Sequence, residues 1–249
     1  MNDDVTNQLH ASRALLQVGR NAEAARILRD AIRVDQRDAI ALGLLAEAVR
    51  DTDPAESNSA ARSALDAQPE NAWVVTVAAW SADAVGDTDE AIRLIRSAQA
   101  IDPSSAYAHQ SAAQLLARHV ATSDEALVAA TRAIELAPHD VDTWVAAGNA
   151  SFGSDRLDEA RTYYEYALQL DPTNLVAQRN LAEVHDARGS MMHSMELLST
   201  LVALDPTDHE SRQRIDEVAK RFLQEMVWLS VPVGFVLALV FQLVTEAAG

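Results

Sequence analysis

The stretch that decides the fold runs from Trp144 to Pro172 and reads WVAAGNASFGSDRLDEARTYYEYALQLDP. Its first part is rich in alanine and ends at Gly153, where a glycine can adopt the left-handed backbone angles that close a helix. A second helical pattern follows Ser154 and Asp155 and runs to Pro172, where proline cannot continue the helix. The stretch therefore predicts a helix, a tight turn, a second helix and a loop.

The same unit recurs along the chain at a nearly constant period. Prolines that end the second helices are separated by 34, 35, 34 and 34 residues, at Pro69, Pro103, Pro138, Pro172 and Pro206. Glycines mark the middle turn of other units in the way that Gly153 does, at Gly19, Gly86 and Gly189. A fixed period of this length is the sequence signature of a repeat architecture.

Small residues also recur at matched positions in the second helix of successive units. Two alanines seven residues apart lie on one helix face, where small side chains let neighbouring helices approach closely. The pairs are Ala91 with Ala98, Ala126 with Ala133, and Ala160 with Ala167. We expect these positions to form the contacts between hairpins.

The chain resembles the tetratricopeptide repeat family in the signature residues Trp144, Gly148, Ala160, Tyr164, Ala167 and Pro172. The resemblance implies an all-α fold, a right-handed α-solenoid of about six helix hairpins whose first helices line a concave groove. We expect this solenoid over residues 1–208, with repeats at 5–37, 38–71, 72–105, 106–140, 141–174 and 175–208. A capping helix at 209–225, a hydrophobic helix at 226–244 and a short tail at 245–249 complete the predicted domains.

Charge and composition restrict the kind of partner. The chain has 37 acidic and 20 basic residues, a formal net charge of −17 and no cysteine. Such an excess of negative charge repels phosphates, so we predict that the chain does not bind nucleic acid. The absence of cysteine removes disulfides and thiolate metal sites. Every basic residue except Lys220 is arginine, which together with the abundant alanine is typical of a bacterial genome of high GC content.

The sequence contains no recognisable catalytic constellation. None of the seven histidines forms a pair at the spacing of an HExxH metal site, and there is no glycine-rich phosphate loop or GxSxG elbow. Acidic pairs such as Asp89 and Glu90 open second helices, where they favour the positive end of the helix dipole. We therefore predict a protein that is not an enzyme and has no cofactor and no metal site.

The resemblance implies that a protein or peptide client binds in the groove, against the first helices. The predicted groove residues are Trp73, Thr76, Trp80 and Asp83 in the third repeat, Tyr107, Gln110 and Gln114 in the fourth, Asp142, Val145 and Asn149 in the fifth, and Arg179 and Glu183 in the sixth. Aromatic groups beside amides and carboxylates suit a peptide with a few apolar anchors. In the alternative interpretation, Trp73 and Trp80 only fill gaps between helices.

The C-terminal segment has a different character from the repeats. Residues 226–244 contain no charge, and a helix of that length spans about 28 Å, close to the hydrocarbon thickness of a bilayer. Lys220 and Arg221 precede the segment and only Glu246 follows it, so the positive-inside rule places the repeats in the cytoplasm. Alternatively, the apolar helix packs into the protein's own groove or that of a partner.

These observations predict a membrane-tethered interaction scaffold with a single membrane pass. No basic region followed by an apolar stretch stands at the amino terminus, so we expect no cleavable signal peptide. The alternative is a soluble cytoplasmic adaptor or chaperone-like regulator. Self-association through the ends of the solenoid is compatible with both hypotheses.

Overall fold

The computed structural model describes residues 3–204, 209, 211–222 and 224, and the regular structure in this part of the chain is helical throughout. The helices α1 to α12 span Asp3–Gln17, Asn21–Val34, Ala39–Val49, Pro54–Ala67, Ala72–Ala84, Thr88–Ile101, Ala106–Ala117, Ser123–Leu136, Val141–Gly153, Leu157–Leu170, Leu175–Ala187 and Met191–Leu204. A short 3₁₀ helix at Val120–Thr122 precedes α8, and residues 211–222 are also helical. The all-α class is confirmed for the described residues.

The chain divides into two compact units after Asp155. In the first unit α1 packs on α2, α3 on α4, α5 on α6 and α7 on α8, so the helices form successive hairpins. The first helices also contact one another in order, α1 with α3, α3 with α5, α5 with α7 and α7 with α9. In the second unit α10 packs on α11 and α11 on α12. Helix hairpins are therefore confirmed, whereas the superhelical hand and the six repeat boundaries stay predictions.

Within the part of the chain that the structure describes, no helix has both the length and the apolar character needed to cross a membrane. The predicted hydrophobic helix at 226–244 and the predicted tail at 245–249 lie outside the described residues. The predicted capping helix at 209–225 is described at 209, 211–222 and 224.

Short polar side chains define where the helices begin. An aspartate, asparagine or serine side chain accepts a hydrogen bond from a first-turn backbone N–H at Asp38, Asp53, Asn71, Asp87, Ser105, Asp140 and Asn174. Such caps satisfy backbone donors that have no partner inside the helix. The acidic pairs of the second helices also lie in first turns, as predicted, at Asp89-Glu90, Asp124-Glu125 and Asp158-Glu159.

The alanines at seven-residue spacing are buried, as their predicted role between helices requires. All six are completely buried: Ala91, Ala98, Ala126, Ala133, Ala160 and Ala167. A methyl group at these positions allows the backbones of neighbouring helices to come close together, which a longer side chain would prevent. Larger apolar residues such as Leu28, Ile95 and Leu115 are buried around them.

The turn after α9 differs from the prediction. Gly19, Gly86 and Gly189 have positive φ angles of 72°, 82° and 75°, but in the unit of Gly153 it is Asp155 that has a positive φ, of 59°. Aspartate tolerates this conformation better than most residues. A Cβ atom on Gly153 would lie 2.6 Å from the carbonyl oxygen of Ala117. Gly153 is therefore required for the close approach of α9 to α7, and not for the turn.

Ion pairs join consecutive second helices on the surface of the first unit, α2 with α4 and α6 with α8. The Arg29 guanidinium donates to both carboxylate oxygens of Glu56, at 2.9 and 2.5 Å, and Arg96 donates in the same way to Glu125, at 2.9 and 2.7 Å. Arg96 holds the pKa of the Glu125 carboxyl below its usual value. Because these pairs are partly exposed, each contributes about 1 kcal/mol or less.

Replacing Ala98 by leucine should destabilise the fold by roughly 1–3 kcal/mol, because the buried site has no room for three more carbon atoms. The matched control is Ala100→Leu, two residues further along α6 at an exposed position, which should change stability by less than about 0.5 kcal/mol. Urea unfolding followed by circular dichroism measures both. Equal unfolding midpoints for the two variants would contradict the role given to the buried alanines.

Candidate functional site

Two adjoining cavities lie along the first helices of the first unit. The first, of about 400 Å³, is lined by Arg13, Leu16, Gln17, Leu44, Glu47, Trp73 and Tyr107. The second, of about 340 Å³, is lined by Leu16, Asn21, Glu47, Arg50, Trp80, Tyr107, Gln110, Ser111 and Gln114. The two cavities share Leu16, Glu47 and Tyr107. We call them together the groove; both are of a size that accepts amino-acid side chains or a small ligand.

A glycine in α3 makes room for the Trp73 indole. A Cβ atom on Gly43 would lie 2.6 Å from the Cη2 atom and 2.7 Å from the Cζ3 atom of Trp73. The ring therefore lies directly against the α3 backbone, where any larger residue at position 43 would collide with it. Contact with Gly43 holds the indole in place as a wall of the first cavity.

Glu47 is the most unusual group of the groove because it is a half-buried carboxyl in an otherwise apolar helix. It is the only ionisable residue in Ala39–Val49. Burial raises the pKa of the Glu47 carboxyl, while Arg50, hydrogen bonding from Tyr107 and Trp73, and Arg13 act in the opposite direction. The Tyr107 hydroxyl donates to the Oε1 atom of Glu47 over a long distance of 3.4 Å.

Arg50 is held by an aromatic ring of the second cavity. Its guanidinium carbon lies 5.4 Å from the centroid of the Trp80 ring, within the range of a cation–π interaction. The Nε atom of Arg50 also lies 3.7 Å from the Oδ1 atom of Asp51. One face of Trp80 is therefore covered by Arg50, whereas the ring still lines the second cavity.

The structure brings together five of the predicted groove residues and excludes others. Trp73, Trp80, Tyr107, Gln110 and Gln114 line the two cavities. Three others line neither cavity.

Thr76 and Val145 are buried, at 0% and 4% exposure. The Thr76 hydroxyl donates to the Ala72 carbonyl oxygen at 2.8 Å. The Asp83 side chain is only 6% exposed, and its carboxylate oxygens lie 3.4 Å from Arg118 Nε and 3.3 Å from His119 Nε2. These three side chains are therefore largely buried within the fold.

The remaining predicted residues are not among those that line the two cavities. Asp142 is exposed and Asn149 half-buried, and neither lines the groove. Partial desolvation and the nearby Asp140 carboxylate raise the pKa of Asp142. Arg179 and Glu183 belong to the second unit, where Glu183 forms an ion pair with Arg214.

Sequence reasoning did not include the groove residues of the first two hairpins, although a signal for them existed. Moving back 33 positions from Trp80 leads to Glu47, and the same shift leads from Asp83 to Arg50 and from Thr76 to Gly43. This shift is one residue shorter than the 34-residue spacing of the prolines, so these positions follow from aligning the helix caps Asp38 and Asn71 and not from the period alone. Glu47 also stands out as the single charge in its helix.

Comparison with known families agrees with the helix hairpins. Residues 122–175 and 151–214 each match a family model described as tetratricopeptide repeat. Residues 122–214 therefore match tetratricopeptide repeats, as the signature from Trp144 to Pro172 predicted. No curated protein sequence matches the chain.

Solved structures of low sequence identity share the fold. Human IFIT1, solved as a dimer with m7Gppp-AAAA, is 20% identical, with a TM-score of 0.74 over 88% of this chain and 54% of that chain. PilF of Pseudomonas aeruginosa is 16% identical, with a TM-score of 0.59 over 87% and 98%. PilW, a type IV pilus biogenesis factor, is 15% identical, with a TM-score of 0.67 over 86% and 100%. The chain thus spans about half the length of IFIT1.

Changing Glu47 to glutamine should stabilise the fold at neutral pH. Because burial raises the pKa of the Glu47 carboxyl in the folded state, the charged carboxylate costs stability above that raised pKa. The cost declines as the pH falls below the raised pKa and is gone only below the ordinary pKa that the group has in the unfolded chain. The gain from Glu47→Gln should therefore shrink on acidification. Urea unfolding at several pH values measures it, with Glu70→Gln at an exposed position as the control. A loss of stability at neutral pH in Glu47→Gln would contradict this account of the site.

Proposed function

We propose that the chain is a non-enzymatic scaffold that binds a segment of another polypeptide in the groove of its first unit. The observation that supports this most directly is the pair of adjoining cavities, whose walls combine Trp73, Trp80 and Tyr107 with side-chain amides. Aromatic side chains in partly enclosed pockets are the usual anchors of protein interfaces. Tetratricopeptide repeats generally serve as such scaffolds, and the groove contains no group to which we assign a reaction.

The two cavities suit different parts of a bound peptide. Leu16, Leu44 and Trp73 give the first cavity apolar walls for a side chain. Asn21, Gln110 and Gln114 give the second cavity side-chain amides, which can donate to and accept from the backbone of an extended peptide. A ligand that places one side chain in the first cavity and its main chain across the second uses both.

The charge of the chain favours a protein over a nucleic acid as the partner. Human IFIT1 was solved with a capped oligonucleotide, and a nucleic acid ligand is therefore the competing possibility. Nucleic acid binding depends largely on basic side chains that displace counterions from phosphates. A chain with 37 acidic and 20 basic residues is poorly suited to it, and it attracts basic polypeptides instead.

Peptide capture by the full chain tests this function. Random peptides displayed on phage should be enriched by the wild-type protein and should lose binding when Trp73 and Trp80 are both changed to alanine, because both rings line the groove. Val128→Ala is the control: Val128 is 72% exposed on α8 and lines neither cavity. Enrichment that is unaffected by the tryptophan changes would place the binding site elsewhere, and no enrichment would reject the proposal.

We further propose that residues 226–244 tether this scaffold to a membrane as a single span, with the repeats in the cytoplasm. The support is the sequence alone: a run without charge, preceded by Lys220 and Arg221. In the alternative hypothesis the same segment occupies the groove until a partner displaces it.

Membrane fractionation separates the two hypotheses. The wild-type chain should remain in the membrane pellet after an alkaline carbonate wash. A variant with Leu237→Arg and Val240→Arg should move to the soluble fraction, because each arginine at the centre of a span costs about 2.5–3.5 kcal/mol. A wild-type chain that is found in the soluble fraction, and not in the washed membrane pellet, would reject the tether. A peptide of residues 226–244 would then be tested as a competitor for the groove.

A further inference from the structure

The first cavity combines three kinds of wall that together match one kind of ligand group. Leu16 and Leu44 are aliphatic, Trp73 and Tyr107 are aromatic, and Glu47 supplies a carboxylate. An aliphatic wall binds a hydrocarbon chain, an aromatic face attracts a cation, and a carboxylate pairs with it. The side chains of lysine and arginine carry both parts, an apolar stem and a charged head.

The negative charge of Glu47 is not matched by a close cation within the protein. Among the described residues, no basic group lies within 4 Å of the Glu47 carboxylate, and the hydrogen bond that it accepts from the Tyr107 hydroxyl is long, at 3.4 Å. Arg50, the nearest basic residue along α3, stacks on Trp80 and lies 3.7 Å from Asp51. Arg13 lines the same cavity but is exposed to solvent.

We propose that the first cavity binds the side chain of a lysine or arginine presented by the client polypeptide. The stem packs between Leu16 and Leu44, and the charged head meets Glu47 between the faces of Trp73 and Tyr107. This inference rests on the proposed function, because it names the anchor residue of the same groove. It also assigns Glu47 a role in selecting partners by charge.

Because Arg13 and Arg50 also line the cavities, the main alternative is that the groove prefers an anionic side chain. An anionic side chain could approach these two guanidinium groups, but in either cavity it would also meet the Glu47 carboxylate. If Arg13 opposes a bound cation, Arg13→Ala should strengthen the binding of cations. If Arg13 instead recruits an anion, the same variant should weaken binding.

A direct test uses small probes that imitate one side chain. The Trp73 indole N–H resonance of the full, isotope-labelled chain is followed while n-pentylammonium, pentan-1-ol or pentanoate is added, and Trp73→Phe assigns the signal. We expect n-pentylammonium to bind about tenfold more tightly than pentan-1-ol, Glu47→Gln to reduce this difference markedly and Arg13→Ala to increase it. Equal binding of the cation and the alcohol, or tighter binding of pentanoate, would overturn the inference.

Peptide selection separates a failure of this inference from a failure of the proposed function. The same phage library is selected on the wild type and on Glu47→Gln, with circular dichroism to confirm that both are folded. We expect only the wild-type pool to be enriched in lysine or arginine beside an apolar residue. Two pools with equal basic content that still depend on Trp73 would overturn the inference and leave the scaffold function intact. Pools that do not depend on Trp73 would overturn both.

Discussion

The constraint on which the structure depends is the close approach of helices that contact mainly their neighbours in sequence. Completely buried alanines such as Ala91 and Ala98 stand where a longer side chain would separate two helices, and Gly153 serves the same purpose against the carbonyl oxygen of Ala117. Because each first helix of the first unit touches the next one, side chains that are far apart in sequence line one surface. The Tyr107 hydroxyl can thereby reach the Glu47 carboxylate, 60 residues away.

The period of the chain predicts the hairpins and part of the groove, since both follow from residues that recur at a fixed spacing. Trp73, Trp80 and Tyr107 were recognisable because their repeats end in a proline that sets the register. The burial of Thr76 was not recognisable from the sequence. Thr76 lies one turn after Trp73, yet it is completely buried, because the rotation of α5 against its neighbours decides which positions face outwards. The 3₁₀ turn at Val120–Thr122 lies where repeat four departs from the common period.

Contacts between repeats explain most of what the sequence did not predict. The fit of Trp73 against Gly43 joins residues of two different hairpins, and no local pattern of residues encodes it. Glu47 breaks the rule that a buried helix face is apolar, and it does so at the junction of the two cavities. Local departures from packing rules of this kind are common at binding sites, where stability is given up for recognition.

Because Gly43 and Trp73 are in contact, we expect substitutions at these two positions to be correlated in evolution. An indole at position 73 requires the absence of a side chain at position 43, because a single methyl group there would lie 2.6 Å from the ring. In related chains, a residue larger than glycine at position 43 should be accompanied by a residue smaller than tryptophan at position 73. The loss of either member would open or block the first cavity, so we expect the pair to be kept wherever this part of the groove is kept.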